Sequence, residues 1–382
     1  MRNGDIIIKD LITFINKNNI YKYNEGTLNY YKIFTEEIIE NYSNNEAKIG
    51  LLIPITLLND RQSEKLRKRM IESYSFSKIH IIPEKNEFFP DITQAFCFFA
   101  LDKAQPGKIL EINPEVKNSI DFEKRSFKIK IDSLKMISES APIIIENEKG
   151  WRVLKKINGH PKIKSFSDIH NLRGELDLTL DKSYITEQKT SYPLLRGINI
   201  DEFNFKNGDT FVNEKFILKL NGKKDHVLRD RLVCQQVSNL HGNKRLKFTR
   251  VPANIVLGNS CNYICKKDSL FEDKNISLDY LLGVLNSLLL DWRFKTTNSN
   301  NHISNYEISE LPIVIPTTHQ KNIIEKLVEK IRKNKSNEDL AKLNIEVFKL
   351  YDLNRDEADY ILSKCQDMNL TKSISKTLNY AI

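Results

Sequence analysis

The chain has 382 residues, 40% of them hydrophobic, which is enough for two or three domains with buried cores. It carries 59 lysines and arginines against 50 aspartates and glutamates, and this net charge of +9 favours a polyanionic partner. No apolar run is long enough to span a membrane and the first residues lack a signal-peptide pattern, so we expect a cytoplasmic protein.

The first hundred residues alternate between helical and extended patterns. The predicted elements are a helix at 6–42, a strand at 49–58, a helix at 61–74 and strands at 76–82 and 92–101. The first helix is expected to bury one apolar face, formed by Leu28, Tyr31, Phe34, Ile38 and Ile39. Because 49–58 is apolar throughout, it is typical of a strand buried on both faces of a parallel sheet. This order of elements predicts one half of a doubly wound α/β domain.

The next segment, residues 111–165, has mixed character and is interpreted as a connector. It contains a predicted strand at 126–131 and short helices at 131–140 and 151–157.

Residues 166–316 are rich in short alternating segments and predict a mostly β domain. The predicted strands are 176–180, 192–195, 216–220, 231–237, 246–251 and 254–257. Within this region, the stretch from Tyr192 to Phe203 predicts a hairpin with a tight turn at Arg196-Gly197.

Basic residues concentrate between 223 and 250. This window contains eight lysines and arginines and two aspartates, which give it a net charge of +6. Arginine can donate two hydrogen bonds to guanine, glutamine can pair with adenine, and lysine or arginine can bind phosphates without reading sequence. A solvated basic hairpin is the alternative interpretation of this window.

The C-terminal part is predicted to be helical. A helix at 279–293 is followed by a polar loop at 296–301, and helices at 317–335 and 338–365 form a predicted helical hairpin within 317–382.

Three segments together resemble a known family. These are Arg173-Gly-Glu-Leu-Asp-Leu-Thr179, the stretch 192–203, and the stretch from Arg231 to Tyr263. They resemble the target-recognition region of adenine-specific (N6) DNA methyltransferases with a TaqI-like C-terminal specificity domain, in Type II and IIS restriction–modification systems. With this resemblance, the residues expected to contact double-stranded DNA are Arg196, Arg231, Gln235, Gln236, Lys244, Arg245, Lys247 and Arg250. Lys244 and Lys247 are expected on phosphates, and Arg231, Gln235 and Gln236 on bases.

The N-terminal part resembles the C-terminal half of the Rossmann-like methyltransferase fold. The resemblance rests on Gly50-Leu-Leu-Ile-Pro-Ile-Thr56 and on Phe89-Pro-Asp-Ile-Thr-Gln-Ala95. It implies an aromatic residue that stacks on an extruded adenine, with Phe99 as the best match and Phe98 as its neighbour. The alternative is that both are ordinary core residues.

Two motifs of that family are missing from the sequence: the glycine-containing cofactor motif and the Asn/Asp-Pro-Pro-Tyr/Phe catalytic motif. The resemblance therefore implies that no complete catalytic set is present and that this chain alone is inactive. S-adenosylmethionine is expected for the complete enzyme but not bound by this chain alone. The implied domains are a methyltransferase half at 1–110, the connector at 111–165, the specificity domain at 166–316 and C-terminal helices at 317–382. The expected partners are DNA, an N-terminal methyltransferase half or subunit, and a cognate restriction endonuclease.

Two other functions remain open. The first is a stand-alone DNA specificity subunit without a catalytic role. The second is a Mg²⁺-dependent restriction endonuclease, for which Asp91, Glu115 and Lys117 fit a loose metal-nuclease pattern. Cys261 and Cys265 have the spacing of two metal ligands, but no nearby pair completes a zinc site, and no metal is expected.

Overall fold

The computed structural model describes residues 13–15, 17–18, 20–26, 28–124, 126–240, 242–267, 276–298 and 300–378. The chain divides into two compact units, Met1–Trp151 and Arg152–Ile382. The first part of the helix predicted at 6–42 lies outside the described residues. No helix in the described ranges is long and apolar enough to cross a membrane.

The first unit is built on a six-stranded sheet. Its strands are β1 (Lys48–Pro54), β2 (Ser75–Phe76), β3 (Ile79–Ile82), β4 (Phe96–Asp102), β5 (Ile109–Asn113) and β6 (Phe127–Lys130). Its helices span Tyr30–Glu40, Thr56–Asn59, Glu64–Ser73 and Asp132–Ile137, and a further helix, Glu148–Ile157, crosses the boundary between the units.

The strand order of this sheet is β1-β4-β3-β5-β6, with β2 also paired to β4. The prediction of a parallel sheet is wrong, because β4 runs antiparallel to both β1 and β3, and only β3 and β5 are parallel. The expected burial of β1 on both faces is also wrong, since Leu51 is buried whereas Leu52 is 46% exposed. Residues 109–130, predicted largely as connector, instead supply β5 and β6 to the same sheet.

The helix Tyr30–Glu40 buries only part of the predicted face, because Ile39 is buried but other predicted positions are not. Phe34 is 63% exposed, whereas Lys32 and Glu36 are buried. Both buried charges are compensated by the backbone: Lys32 Nζ donates to the carbonyl of Glu25 at 2.9 Å, and Glu36 accepts from the Tyr23 N–H at 3.2 Å. Hydrogen-bonded polar groups can therefore take core positions that an apolar pattern does not mark.

The second unit contains three small sheets. Its strands are β7 (Ile169–Arg173), β8 (Ile185–Thr186), β9 (Leu194–Leu195), β10 (Phe211–Val212), β11 (Arg231–Gln235), β12 (Phe248–Val251), β13 (Val256–Leu257) and β14 (Cys261–Lys266). The largest sheet has the order β12-β11-β14-β7 and is antiparallel throughout. Strands β8 and β10 form an antiparallel pair, and β9 and β13 a parallel pair.

The second unit is more helical than predicted. Its helices are Glu214–Lys219, Lys224–Val227, Leu278–Leu285, Leu288–Thr297, Asn305–Ser309, Thr318–Lys333, Asn337–Leu350, Arg355–Ser363 and Met368–Leu378. Phe216, predicted in a strand, lies in the first of these. The helix predicted at 279–293 is two helices, because the Ser287 side chain caps a new helix by accepting from the Leu290 N–H. The predicted C-terminal hairpin is a group of four helices.

Candidate nucleic-acid interface

The turn Gly258–Ser260, between β13 and β14, is where the three family-like segments meet. The Asn259 N–H donates to the Leu176 carbonyl at 2.7 Å, and the Gly258 N–H donates to the Leu195 carbonyl at 2.9 Å. The Gln236 N–H, just after β11, donates to the Ser260 carbonyl at 2.9 Å. Segments that are distant in sequence are therefore fixed to one another by backbone hydrogen bonds at a single turn.

Two glycines allow this close approach. A Cβ atom on Gly174 would lie 2.0 Å from the Gly258 carbonyl oxygen, and one on Gly197 would lie 2.7 Å from the Ser260 carbonyl oxygen. The Gly197 N–H also donates to Ser260 Oγ at 2.9 Å. Any side chain at these two positions would push the segments away from the turn.

The stretch 192–203 does not form the predicted hairpin. Leu194 and Leu195 pair in parallel with β13, and a short 3₁₀ helix, Gly197–Asn199, follows at once. The Asn199 side-chain oxygen accepts from the Arg196 N–H at 2.8 Å, which closes this helical turn. The chain thus passes the Gly258–Ser260 turn without folding back as a second strand.

Arg196 and Gln236 are predicted DNA contacts that form no ion pair with any residue that the structure describes. Both are half-buried and lie beside Ser260. The Gln236 side chain has no hydrogen-bond partner among the residues that the structure describes, whereas the Arg196 side chain contacts the Asn199 backbone N–H at the start of the 3₁₀ helix. Arg173, which sequence reasoning did not select, is exposed at the same turn, and its Nε donates to the Asn259 carbonyl at 2.7 Å.

Arg231 and Arg245 are internal, which contradicts their predicted role on DNA. The Arg231 guanidinium is fully buried, lies 3.0 Å from Glu175 Oε1 and also donates to the Ile255 carbonyl. Arg245 is 3% exposed and donates to Ser238 Oγ at 3.0 Å. Since both charges are already compensated inside the fold, these arginines hold the domain together instead of reading bases.

Three more cations of the basic window are paired with acids, of which only Asp230 belongs to the window itself. Arg250 lies between Asp230 at 2.7 Å and Asp279 at 2.6 Å. Lys244 donates to Glu202 and to the Asn286 carbonyl. Lys247 lies 3.5 Å from Asp201 and keeps 39% of its side chain exposed. The charge of +6 counted along the sequence is therefore largely neutralised in the structure, and a strongly basic hairpin face is absent from the described part of this window.

Glu202 lies in a cleft of about 650 Å³ within the second unit. Lysines and amides line this cleft, among them Gln235, Asn239, Lys244, Lys247 and Lys335. Burial raises the pKa of Glu202, but the ammonium groups of Lys244 and Lys335 outweigh burial and hold the pKa below its ordinary value. The Gln235 side chain already forms one internal hydrogen bond, because its Nε2 donates to the Ile200 carbonyl at 2.9 Å.

The two phenylalanines proposed to stack on an extruded base lie on opposite faces of the first unit's sheet. Phe99 is fully buried and packs on Phe76 with a centroid distance of 5.1 Å, so it is a core residue and its predicted stacking role is wrong. Phe98 is 39% exposed and lies 6.1 Å from the His80 ring and 6.4 Å from the Phe122 ring. Strand alternation therefore leaves Phe98 as the remaining stacking candidate.

The cysteine pair and the residues of the nuclease pattern were the candidates for binding a metal ion. Burial raises the pKa of Cys261 to about 12 and that of Cys265 to about 11. Glu115 and Lys117, from the nuclease pattern, form an exposed ion pair at 2.7 Å. Within the described ranges, no group of three or more histidines, cysteines, aspartates or glutamates is close enough to hold a metal ion.

The chain is similar to several solved structures at low identity, whereas no curated protein sequence matches it. The Type IIG restriction endonuclease BpuSI has 13% identity and a TM-score of 0.39, over 91% of this chain and 49% of that chain. The Type IIL restriction-modification enzyme MmeI in complex with DNA has 11% identity and a TM-score of 0.48, over 91% of this chain and 52% of that chain. The ATP-dependent Type ISP restriction-modification enzyme LlaBIII bound to DNA has 10% identity and a TM-score of 0.40, over 77% and 26% of the two chains.

This chain spans about half the length of the first two structures. Comparison of the sequence with models of protein families gives a more specific match than these structures do. It matches residues 192–313, which include β9, β11 and the Gly258–Ser260 turn, to one family model. The matching model is that of the TaqI-like C-terminal specificity domain, and residues 192–313 are similar to it.

Proposed function

We propose that this chain supplies the DNA-recognition part of a site-specific adenine-N6 DNA methyltransferase of a restriction–modification system. The observation that carries the proposal is the convergence of 173–179, 192–203 and 231–263 on the Gly258–Ser260 turn, within a TaqI-like specificity domain. This convergence brings the chain at Arg173, Arg196 and Gln236 to one turn. These are side-chain types that bind phosphates and base edges.

The test of DNA recognition is a binding titration of the full chain with duplex DNA of randomised sequence at several salt concentrations. Binding through phosphates must weaken as salt rises, because each neutralised phosphate releases condensed counterions. A chain that binds no duplex DNA at low salt would overturn the proposal.

The adenine-N6 chemistry requires a second polypeptide or domain that carries the two missing motifs. We propose that this catalytic half packs on the first unit, where β1 is an edge strand among the described strands. The exposed face over β1 and β4 carries two large apolar side chains, Leu52 at 46% and Phe98 at 39% exposure, with the Lys48–Asp102 ion pair at one end. A strand added to β1 would satisfy its outer backbone groups.

The partner is tested by co-expressing the chain with a polypeptide that carries both missing motifs. We expect a stable complex that transfers methyl groups from S-adenosylmethionine to adenine N6, and a Leu52→Glu variant that no longer forms the complex. In that complex, Phe98→Ala should reduce methyl transfer more than DNA affinity, because an extruded base loses its stacking surface. A co-purifying methyltransferase that is fully active without this chain would instead favour a stand-alone specificity subunit.

The chain by itself is proposed to bind no S-adenosylmethionine, because it lacks the cofactor motif. Isothermal titration calorimetry of the purified chain tests this directly. Micromolar binding of S-adenosylmethionine would show that the cofactor site is formed by residues of this chain.

A further inference from the structure

One residue, Ser260, fixes the spacing between the backbones at Arg196 and Gln236. The Gly197 N–H donates to Ser260 Oγ at 2.9 Å, and the Gln236 N–H donates to the Ser260 carbonyl at 2.9 Å. Because both bonds end on the same residue, the backbones at Arg196 and Gln236 are held within roughly 10 Å of each other. Among the residues that the structure describes, no acid pairs with Arg196 and no group pairs with the Gln236 side chain. The Arg196 side chain contacts the Asn199 N–H, which is itself a donor and therefore leaves the guanidinium donors available.

The surroundings of this pair are rigid. Leu195, which precedes Arg196, is fully buried. The Arg196 N–H donates a hydrogen bond to the Asn199 side-chain oxygen at 2.8 Å. Cys234, just before the two glutamines, is also fully buried. A side chain that forms two hydrogen bonds to one base needs a backbone that is held in place. A displacement of about an ångström would break one of the two bonds.

The chemistry of the two groups is complementary to two different bases. The guanidinium of arginine donates two hydrogen bonds to O6 and N7 of guanine, and the amide of glutamine pairs with N6 and N7 of adenine. Successive bases are about 3.4 Å apart along a DNA strand, so a separation of roughly 10 Å spans about three base-pair steps. The two side chains therefore have the spacing to read bases in one short segment of the major groove.

We propose that Arg196 and Gln236 are specificity-determining residues, and that the recognised sequence contains a guanine bound by Arg196 and an adenine bound by Gln236, no more than about three base pairs apart. This inference rests on the proposed function, because it names the bases that the proposed DNA-recognition surface would read.

The experiment is a selection of duplexes from a randomised pool by the full wild-type chain, followed by affinity measurements on the enriched sequence. We expect a guanine and an adenine within a segment of about four base pairs. Arg196→Ala should weaken binding to the enriched duplex by about 5- to 150-fold, and should have little effect on a duplex in which that guanine is already replaced. Gln236→Ala should behave in the same way toward the adenine.

Two variants separate base reading from charge and folding. Arg196→Lys keeps the positive charge but loses the two-donor fork, so it should lose the guanine preference and keep the salt dependence. Lys215→Ala, on the exposed face of the helix Glu214–Lys219, removes a cation away from the turn and should bind like wild type. Circular dichroism melting confirms that each variant is folded.

The failures are distinguishable. If the wild-type chain binds no duplex, the proposed function fails together with this inference. If the chain enriches a sequence but Arg196→Ala weakens all duplexes alike and lowers the log–log salt slope by about one unit, Arg196 binds a phosphate and the inference is overturned while DNA recognition stands. Unchanged affinity in Gln236→Ala on the enriched duplex would overturn the adenine assignment.

Discussion

Arg231 and Glu175 form an ion pair at 3.0 Å with both side chains fully buried. The Leu257 N–H also donates to the same carboxylate at 3.2 Å, and the guanidinium lies 4.8 Å from the centre of the Tyr263 ring. The pair therefore connects the 173–179 segment to β11, β13 and β14 within the second unit.

Replacing one partner of this pair should destabilise the protein strongly. Arg231→Ala leaves a buried carboxylate without its cation, which typically costs about 3–5 kcal/mol. Urea unfolding measures the loss, with Lys215→Ala as a control that should change the free energy of unfolding by less than about 0.5 kcal/mol. An Arg231→Ala protein of wild-type stability that discriminates poorly between DNA sequences would restore the base-reading role predicted from sequence.

Glu202 should make stability depend on pH. Its pKa is lowered in the folded state, so the stabilisation from its ionised form is complete above the unfolded value of about 4.3 and is lost as the pH falls through the folded value. Wild type should lose more stability than Glu202→Gln when the pH is lowered from 6 to below 4. Equal pH dependence of the two unfolding midpoints would show that the Lys244 and Lys335 pairs contribute nothing measurable.

Gly174→Ala should be destabilising because the added methyl group would lie 2.0 Å from the Gly258 carbonyl oxygen. Backbone must move to relieve this overlap, and overpacking of this kind typically costs about 1–3 kcal/mol. The matched control is Gly222→Ala, since no described atom lies within 4 Å of a Cβ at that position. Thermal unfolding of the two variants should differ clearly, and similar midpoints would contradict the close approach.

Phe99→Ala and Phe98→Ala should separate core packing from surface exposure. Phe99 is fully buried, so its truncation should cost about 3–5 kcal/mol, whereas Phe98 is 39% exposed and its truncation should cost much less. The measurement is urea unfolding of both variants. Equal losses would show that the outer face of the sheet is packed as tightly as the inner face.

Alternation and apolar runs located several strands but not how they pair, and the strands predicted at 176–180 and 216–220 are absent from these described segments. The segments at 49–58, 231–237 and 246–251 each contain a strand, as the pattern indicated. Strand direction depends on the route of the chain between strands, and this is why the antiparallel position of β4 was missed. The pattern did not predict the break between two helices at Asn286–Ser287, because leucines continue the helical pattern across it. The break forms where the Ser287 side chain caps the second helix.

The candidate site was predicted only in outline for a similar reason. The basic window was visible in the sequence, but Glu175 lies 56 residues before its partner Arg231 and Asp279 lies 29 residues after Arg250. Local composition cannot show which cations are neutralised by such distant acids. The Gly-Asn-Ser sequence at 258–260, between two apolar segments, was a turn signal that would have pointed to the centre of the site.

The Ser260 turn separates the residues that build the domain from those that face outward. Its hydrogen bonds use backbone groups of Gly197 and Gln236 and the side chain of Ser260 itself, so none depends on the side chains of Arg196 or Gln236. Mutations at these two positions can accumulate without loss of the fold. In the proposed role of these two residues, the preferred DNA sequence can therefore change while the scaffold stays the same.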